Sequence, residues 1–359
     1  MEIITERTLG SQSDPKLPIK VGNRSIGTDD LFFVIEEGQF NQGNIEQAKR
    51  MIKLAAETGS DAIEFQLAVA DDFYVFGHSG YAIYKEREFN DDQLKELVYC
   101  SKSNGLELIV SPLSAQLAGK MAEFGCSAFN INASDLNNPS MLRAVMDTGL
   151  PFFLSIALAF EKEVQWATDF VQAYSSTAKF ILLHGQHTMA SGQDGVHPEH
   201  TSLGYISTLK QRLGTPLGFV DHTPHSWFPA CAVAAGADVV TKHMAPDHTE
   251  RGPDWHICLD PGEMREAIRW AREIRRSICE QKKVLAPGEQ MDRSEMRRSI
   301  VANQDLKEGQ LIRREDLAFK RPGNGLGPDR EEDIVGSIAT RSIKKNELIL
   351  THMCKRKEL

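Results

Sequence analysis

From Leu31 to about Cys279, short apolar runs alternate with longer stretches whose apolar positions recur three or four residues apart. The runs Leu31–Glu36, Ala62–Gln66, Leu106–Ser111, Ala128–Asn132, Phe152–Ser155, Phe180–His184, Leu217–Asp221 and Val239–His243 predict strands, being brief and rich in β-branched or aromatic side chains. Between and after them, Asn44–Thr58, Asp91–Asn104, Ser114–Phe124, Ser140–Thr148, Glu161–Ala173, Ser202–Leu213, Trp227–Ala235 and Pro261–Cys279 predict amphipathic helices. Several stop at a glycine (Gly59, Gly105, Gly125, Gly149), the residue that best tolerates the left-handed turn closing a helix. Strands that are apolar on both faces, each followed by a helix, predict a parallel sheet covered by helices. Eight such units point to a closed (β/α)8 TIM barrel of α/β class. A doubly wound open sheet is the alternative, and the absence of a G-x-G-x-x-G turn after the first strand counts against it. Two loops, Leu67–Asn90 and Gly185–Thr201, are long for a barrel and follow strand C-terminal ends, where barrel enzymes build their sites.

The pattern changes after Cys279. Residues 281–295 are polar with a Pro-Gly pair and read as a linker, which bounds a barrel domain over 1–280. Residues 296–359 carry short apolar pairs between turns and no long helix, as expected of a small β-rich domain. There Ile343–Leu350 repeats the pattern of Leu306–Ile312.

Composition narrows the partners. A net charge of −9 without a long basic run argues against nucleic acid, because phosphate neutralisation needs clustered Lys and Arg. No apolar stretch is long enough for a membrane span, and the first ten residues lack the apolar core of a secretory signal. Six scattered cysteines in so large a chain fit reduced thiols, so a cytoplasmic protein is expected.

The chemistry lies at the strand tips. Glu36 ends the first strand, Asp221-His222-Thr223 the seventh and His243 the eighth. Closing the barrel makes these three strands neighbours, so two imidazoles and a carboxylate should converge. Neutral imidazoles with open positions suit a divalent ion such as Mn, Fe, Co or Zn, which would polarise a carbonyl or activate water. Other tips are polar too (Gln66, Ser111, Asn130, Asn132, Ser155, His184), and Ser111 is counted among the substrate-binding positions. His187, His197 and His200, on the long loop after the sixth strand, read as surface residues.

These features in this order resemble the sialic acid synthase family, in which a barrel precedes an antifreeze-like (SAF, β-clip) domain. The resemblance runs from Phe32 to Ile349. It is carried by Asp221-His222-Thr223, the Ala234–His243 segment ending Thr-Lys-His, Gly252-Pro253-Asp254, Arg298-Ser299-Ile300 and Lys320-Arg321-Pro322-Gly323. It implies a carbon–carbon bond-forming transferase that condenses phosphoenolpyruvate with an open-chain N-acylated aldose to form a nonulosonic acid. On this resemblance His222 and His243 hold a divalent ion, Mn2+, and Glu36 places or activates water. Gln66 and Asp254 contact the sugar. Arg321 reaches the acyl group from a partner subunit, in a homodimer with swapped SAF domains.

Departures from the family pattern concentrate at the donor. Where the family has lysines for the carboxylate and phosphate of phosphoenolpyruvate, this chain has Glu64 and Asn130; Val220 replaces a serine. The strand-six motif becomes Gly185-Gln186-His187-Thr188-Met189, and Phe40-Asn41-Gln42 stands for Asn-His-Asn. A carboxylate about 4 Å from an anionic substrate costs roughly 4 kcal/mol at an effective dielectric near 20. Lys85 and Arg87 are candidates to supply the missing charge. A related three-carbon donor, a different metal-dependent chemistry (lyase, isomerase, or a condensation without phosphoenolpyruvate) and a non-catalytic sugar-binding paralogue all stay open at this point.

Overall fold

The computed structural model describes residues 18–188, 195–279 and 282–356. The chain divides into two compact units, residues 1–280 and 281–359.

The first unit opens with an antiparallel hairpin, β1 (Ile19–Val21) and β2 (Arg24–Ile26), which the sequence pattern does not predict. Its turn requires Gly22, at φ 55°, because a Cβ there would stand 1.9 Å from the Glu107 carboxylate. Then come β3 (Phe32–Glu36), α1 (Ile45–Thr58) and β4 (Ala62–Leu67). Asn44 caps α1 by accepting from the Glu46 and Gln47 amides; Gly59, at φ 82°, ends it. The long loop after β4 contains two further helices, α2 (Ala70–Phe73) and α3 (Ser79–Glu86), before α4 (Asp91–Ser103). The alternation continues with β5 (Glu107–Pro112), α5 (Ala115–Phe124), β6 (Ala128–Ile131), α6 (Pro139–Met146), β7 (Phe152–Ser155) and α7 (Glu161–Tyr174). It ends with β8 (Phe180–His184), α8 (Gly204–Leu213), β9 (Leu217–Asp221), α9 (Phe228–Ala234), β10 (Val239–His243) and α10 (Pro261–Cys279).

Strands β3 to β10 are all parallel and close on themselves, β10 pairing with both β9 and β3. The chain is therefore the expected barrel and not an open sheet. Strand residues alternate between two cores. Phe33 and Ile35 face the helices, in the larger cluster, while Phe32 and Val34 fill the interior with Ile109, Phe153, Ile181 and Val220. Val21 and Ile26 of the hairpin belong to that interior cluster, so the hairpin plugs the end where the strands begin. Glu36, two residues beyond Val34, falls on the interior face at the opposite end.

In the second unit, half of the expected linker is helical: α11 spans Glu289–Met296. It has no buried residue, so no apolar stripe announced it. The rest is β-rich as expected, with β11 (Ser299–Ala302) antiparallel to β12 (Leu317–Lys320), α12 (Glu331–Ile334), and β13 (Ser337–Ala339) antiparallel to β14 (Cys354–Arg356). Ile300, Leu306, Ile312, Ile343 and Ile349 share its core. The repeat noted in the sequence lies here: Leu306 and Ile343 bridge each other antiparallel. All six cysteines are unpaired, and no described helix is long and apolar enough to cross a membrane.

Candidate active site

Ladder register assembles the site. His243 is level with Glu36, Glu36 with Glu64, and Gln66 with Ser111. Lys242 is level with Asp221, which sets His222 beside His243 one step on. Residues paired across a parallel ladder point to the same face about 4.8 Å apart, so one ring of interior positions collects both imidazoles and the carboxylate. They line a cavity of about 300 Å3 at the strand C-terminal ends, together with Gln66, Asn130, His187 and Asp254.

The two histidines are prepared differently. His222 Nδ1 lies 2.7 Å from the Gln186 carbonyl oxygen. A carbonyl can only accept, so Nδ1 carries the proton and the Nε2 lone pair is free. The loop bearing Gln186 returns across His222 at Gly195, at φ 92°, where a Cβ would be 2.6 Å from the His222 carbonyl oxygen; the Val196 amide donates to that oxygen at 2.9 Å. His243 has neither ring nitrogen hydrogen-bonded, although it is 3% exposed. Glu36 Oε2 comes within 3.1 Å of its Nε2 without hydrogen-bond geometry, and Asp254 Oδ2 is 3.9 Å from its Nδ1. Burial holds both rings neutral, lowering His243 to about 4 and His222 well below the usual imidazole range, with His243 adding to the effect on His222. The ring centroids are 5.2 Å apart.

Acidic groups crowd the same mouth. Burial raises Glu36 to about 7 against the opposing pull of a Gln66 hydrogen bond and His187, and raises Glu37 to about 8. Gln66 Nε2 donates to Glu36 Oε1 at 2.5 Å, and its own oxygen accepts from Gln39 Nε2 at 2.8 Å. Gln39 also donates to the Tyr84 hydroxyl at 3.0 Å. Ser111 sits beside Gln66 with its hydroxyl buried and without a partner. Arg321 belongs to the second unit, where it is exposed.

Known proteins resemble this chain along most of its length. The NeuB family pattern matches residues 51–283, and that of the SAF domain residues 297–354. The chain belongs to the NeuB family. An uncharacterised protein of Methanocaldococcus jannaschii is 31% identical over 92% of this chain and 95% of its own length. The N,N'-diacetyllegionaminic acid synthase of Legionella pneumophila is 28% identical over 89% of this chain and 93% of its own. A crystal structure of N-acetylneuraminic acid (sialic acid) synthetase from Leptospira borgpetersenii, in complex with citrate, superposes with a TM-score of 0.69 at 28% identity, covering 77% of this chain and 94% of that one. The expected family, fold and enzyme class are thus met.

Within this NeuB-family barrel, several site features escaped sequence reasoning. His187, expected at the surface, also lines the cavity. It is exposed on one side, but its ring stands 5.0 Å from that of His222 on the cavity wall, and burial of the other side lowers its pKa. His197 and His200 are indeed exposed, beside Glu199. Behind the imidazoles, facing away from the cavity, Lys242 and Asp221 form a fully buried ion pair at 3.1 Å. Lys242 also donates to the Asp221 and Thr223 carbonyl oxygens, and Asp221 Oδ1 accepts from the Thr223 amide at 2.8 Å. This brace fixes the two segments that carry His222 and His243.

The departures at Glu64 and Asn130 form one unit. Asn130 Nδ2 donates to Glu64 Oε1 at 2.7 Å, both side chains being buried. Burial, then repulsion from Glu36, pushes the Glu64 carboxyl well above the usual range. The two cations considered as replacements are engaged elsewhere. Lys85 pairs with Asp71 and Glu88 at the surface, while Arg87 bonds Gln39 and Gln42 in a neighbouring cavity of about 190 Å3.

The donor set fits a divalent cation. One imidazole offers a tautomer-fixed lone pair, the other has two unpartnered buried nitrogens, and uncompensated buried carboxylates surround them. Among the described residues, the group of three ligand-type side chains with all donor atoms within 4.8 Å of one another lies elsewhere, at exposed His248 and half-buried Asp260 and Glu263. Reciprocal hydrogen bonds between Asp260 and Glu263 at the start of α10 account for that cluster as a helix cap. The barrel mouth would thus offer a bound ion two imidazole ligands with Glu36 alongside, with coordination positions left for substrate and water.

Proposed function

We propose that this NeuB-family enzyme adds a three-carbon donor to the aldehyde carbon of an open-chain N-acylated aldose. His222 and His243 would hold a divalent ion, Mn2+ by family resemblance, and its chemistry there would be to polarise the aldehyde oxygen. The observation that carries the reading is the prepared imidazole pair: His222 with its free nitrogen set by Gln186, and His243 with no partner, both beside Glu36.

The residues divide the remaining work. Glu36, held by Gln66 and raised towards neutrality by burial, accepts or returns a proton at its Oε2, the oxygen not engaged by Gln66. Gln66 and Asp254 bind sugar hydroxyls. Exposed Arg321 contacts the acyl group from a partner subunit in a swapped homodimer. The synthase names of the relatives support the sugar acceptor and a nonulosonic acid product; the scattered, unpaired cysteines suit a cytoplasmic enzyme. Phosphoenolpyruvate, the donor implied by the resemblance, is the reading against which Glu64 and Asn130 weigh.

The test is metal content and turnover of the purified protein. Stoichiometric Mn2+ that is lost in His222→Ala, with N-acetylmannosamine binding lost alongside it, is the expected result. Full sugar binding in a metal-free protein would overturn the reading. Phosphate release from phosphoenolpyruvate in the same mixture reports on the donor separately.

A further inference from the structure

We propose that Arg87 is a positioning residue for Glu36, setting through a one-way chain of side-chain amides which Glu36 oxygen handles the proton of the reaction. The proposal rests on Glu36 as the proton-handling group of the proposed condensation. It adds a residue that lies in the neighbouring cavity, outside the one Glu36 lines.

The chain takes its direction from its first member. A guanidinium offers only N–H groups, so an amide that meets it must turn its oxygen towards it. Arg87 Nη1 donates to Gln39 Oε1 at 3.3 Å. Gln39 Nε2 is thereby left facing Gln66, where it donates to Oε1 at 2.8 Å. Gln66 in turn donates from Nε2 to Glu36 Oε1 at 2.5 Å. Each amide repeats the polarity of the one before, and hydrogen bonds in such a chain polarise one another. Tyr84 cannot set this direction. Its hydroxyl lies 3.2 Å from Gln39 Oε1 and 3.0 Å from Nε2, and an O–H both donates and accepts.

The loop between β3 and α1 is built around the same side chain. Gln39 (φ 57°) and Gln42 (φ 47°) both take the left-handed conformation that non-glycine residues rarely adopt. Arg87 holds both, its Nη2 donating to Gln42 Oε1. Gly43 permits the close approach, since a Cβ there would stand 2.6 Å from Arg87 Cα. Backbone strain of this kind persists where the surroundings over-determine it, and it collects at functional sites. The guanidinium lies 5.8 Å from the centre of the Tyr84 ring, and among the described residues no carboxylate pairs with it. Lys85, two residues earlier, is by contrast neutralised by Asp71 and Glu88. A cation joined to two neutral amides orients them; it does not neutralise a charge.

The consequence falls on Glu36. Its Oε1 meets an N–H whether or not the carboxyl carries a proton, so a proton taken up goes to Oε2, the oxygen turned to His243. Without Arg87 the two amides can turn over together, and Gln66 then presents its oxygen. A proton on Oε1 would be hydrogen-bonded to that oxygen, away from the reacting atoms.

Two readouts test this. In the metal-free full chain labelled with [15N]glutamine, Arg87→Met should move the Gln66 side-chain amide resonances, although the guanidinium bonds Gln39 and Gln42 and not Gln66. Tyr84→Phe, which touches Gln39 directly, should leave them in place. With Mn2+, N-acetylmannosamine and phosphoenolpyruvate, Arg87→Met should lower kcat about tenfold while the sugar KM rises no more than about threefold, as for one lost orienting hydrogen bond. Arg87→Lys, whose ammonium also only donates, should recover most of the loss. Gln39→Glu separates orientation from anchoring, because its carboxylate still accepts from Arg87 but cannot donate to Gln66. There kcat should fall at least as far, with thermal unfolding at or above that of the parent. Parent-like turnover in Gln39→Glu, or Gln66 resonances unmoved in Arg87→Met, overturns the proposal. A parent without turnover counts against the proposed function instead, and the resonances, which need neither metal nor substrate, still decide the chain.

Discussion

The two halves of the cavity are built on opposite principles. On the β9–β10–β3 side, each functional group is held by a scaffold that leaves a lone pair free: Gln186 fixes the His222 tautomer, Gln66 holds Glu36, and the Lys242–Asp221 pair braces both histidine segments. On the β4–β6 side, the two polar groups satisfy each other first, Asn130 against Glu64, and among the described residues no Lys or Arg lines the cavity. The first half presents free lone pairs beside carboxylates, and the second a carboxyl already joined to an amide.

The comparison breaks most visibly at the imidazoles. His243→Ala should abolish stoichiometric Mn2+ binding and lower turnover on the order of 10⁴-fold, since a lost carbonyl-polarising ion removes several kcal/mol of transition-state stabilisation. Metal analysis with single-turnover kinetics checks this; retained metal with lost turnover would instead make His243 an acid or base. Next is the brace. Lys242→Met strands the buried Asp221 carboxylate and should cost about 3–5 kcal/mol of stability, read by urea unfolding. A loss under 1 kcal/mol would mean that the histidines are positioned by the strands alone.

A smaller effect sharpens the other half. Placing lysines at Glu64 and Asn130 together should raise phosphoenolpyruvate affinity by about 10- to 100-fold, through attraction gained and repulsion removed. Unchanged affinity in a folded double variant would place the donor away from these positions. The smallest effect is in pH. Glu64 has a raised carboxyl pKa in the fold, so below about 4.5 it is protonated in both states. As pH rises the unfolded chain ionises while the fold retains the proton, and stability falls by up to about 1.4 kcal/mol per pH unit until Glu64 ionises in the fold. Glu64→Gln should remove that share of the slope in metal-free protein, leaving the shares of Glu36 and Glu37. Denaturation series from pH 4.5 upward measure it, and an unaltered slope would mean that Glu64 ionises in the fold as easily as in the unfolded chain.

The site was legible in the sequence as far as position along a strand decides it. Glu36, His222 and His243 end apolar runs, and closure of the barrel makes those runs neighbours. The brace was not legible, because Lys242 meets Asp221 only through ladder register. His187 was missed because its place depends on a loop that returns at Gly195 to lie against His222, a contact with no local pattern. The helices α3 and α11 bury no residue and so leave no apolar period to read. The hairpin at the barrel floor has strands of three residues, too short for an alternation to stand out.

That hairpin bears on how molecules enter and leave. With Val21 and Ile26 corking the far end, the barrel is a vessel with a single opening. Whatever sits against Asn130, level with Gln66 on the ladder, must enter and leave by the same mouth as the sugar. Excess sugar should therefore act as a stopper against the smaller partner.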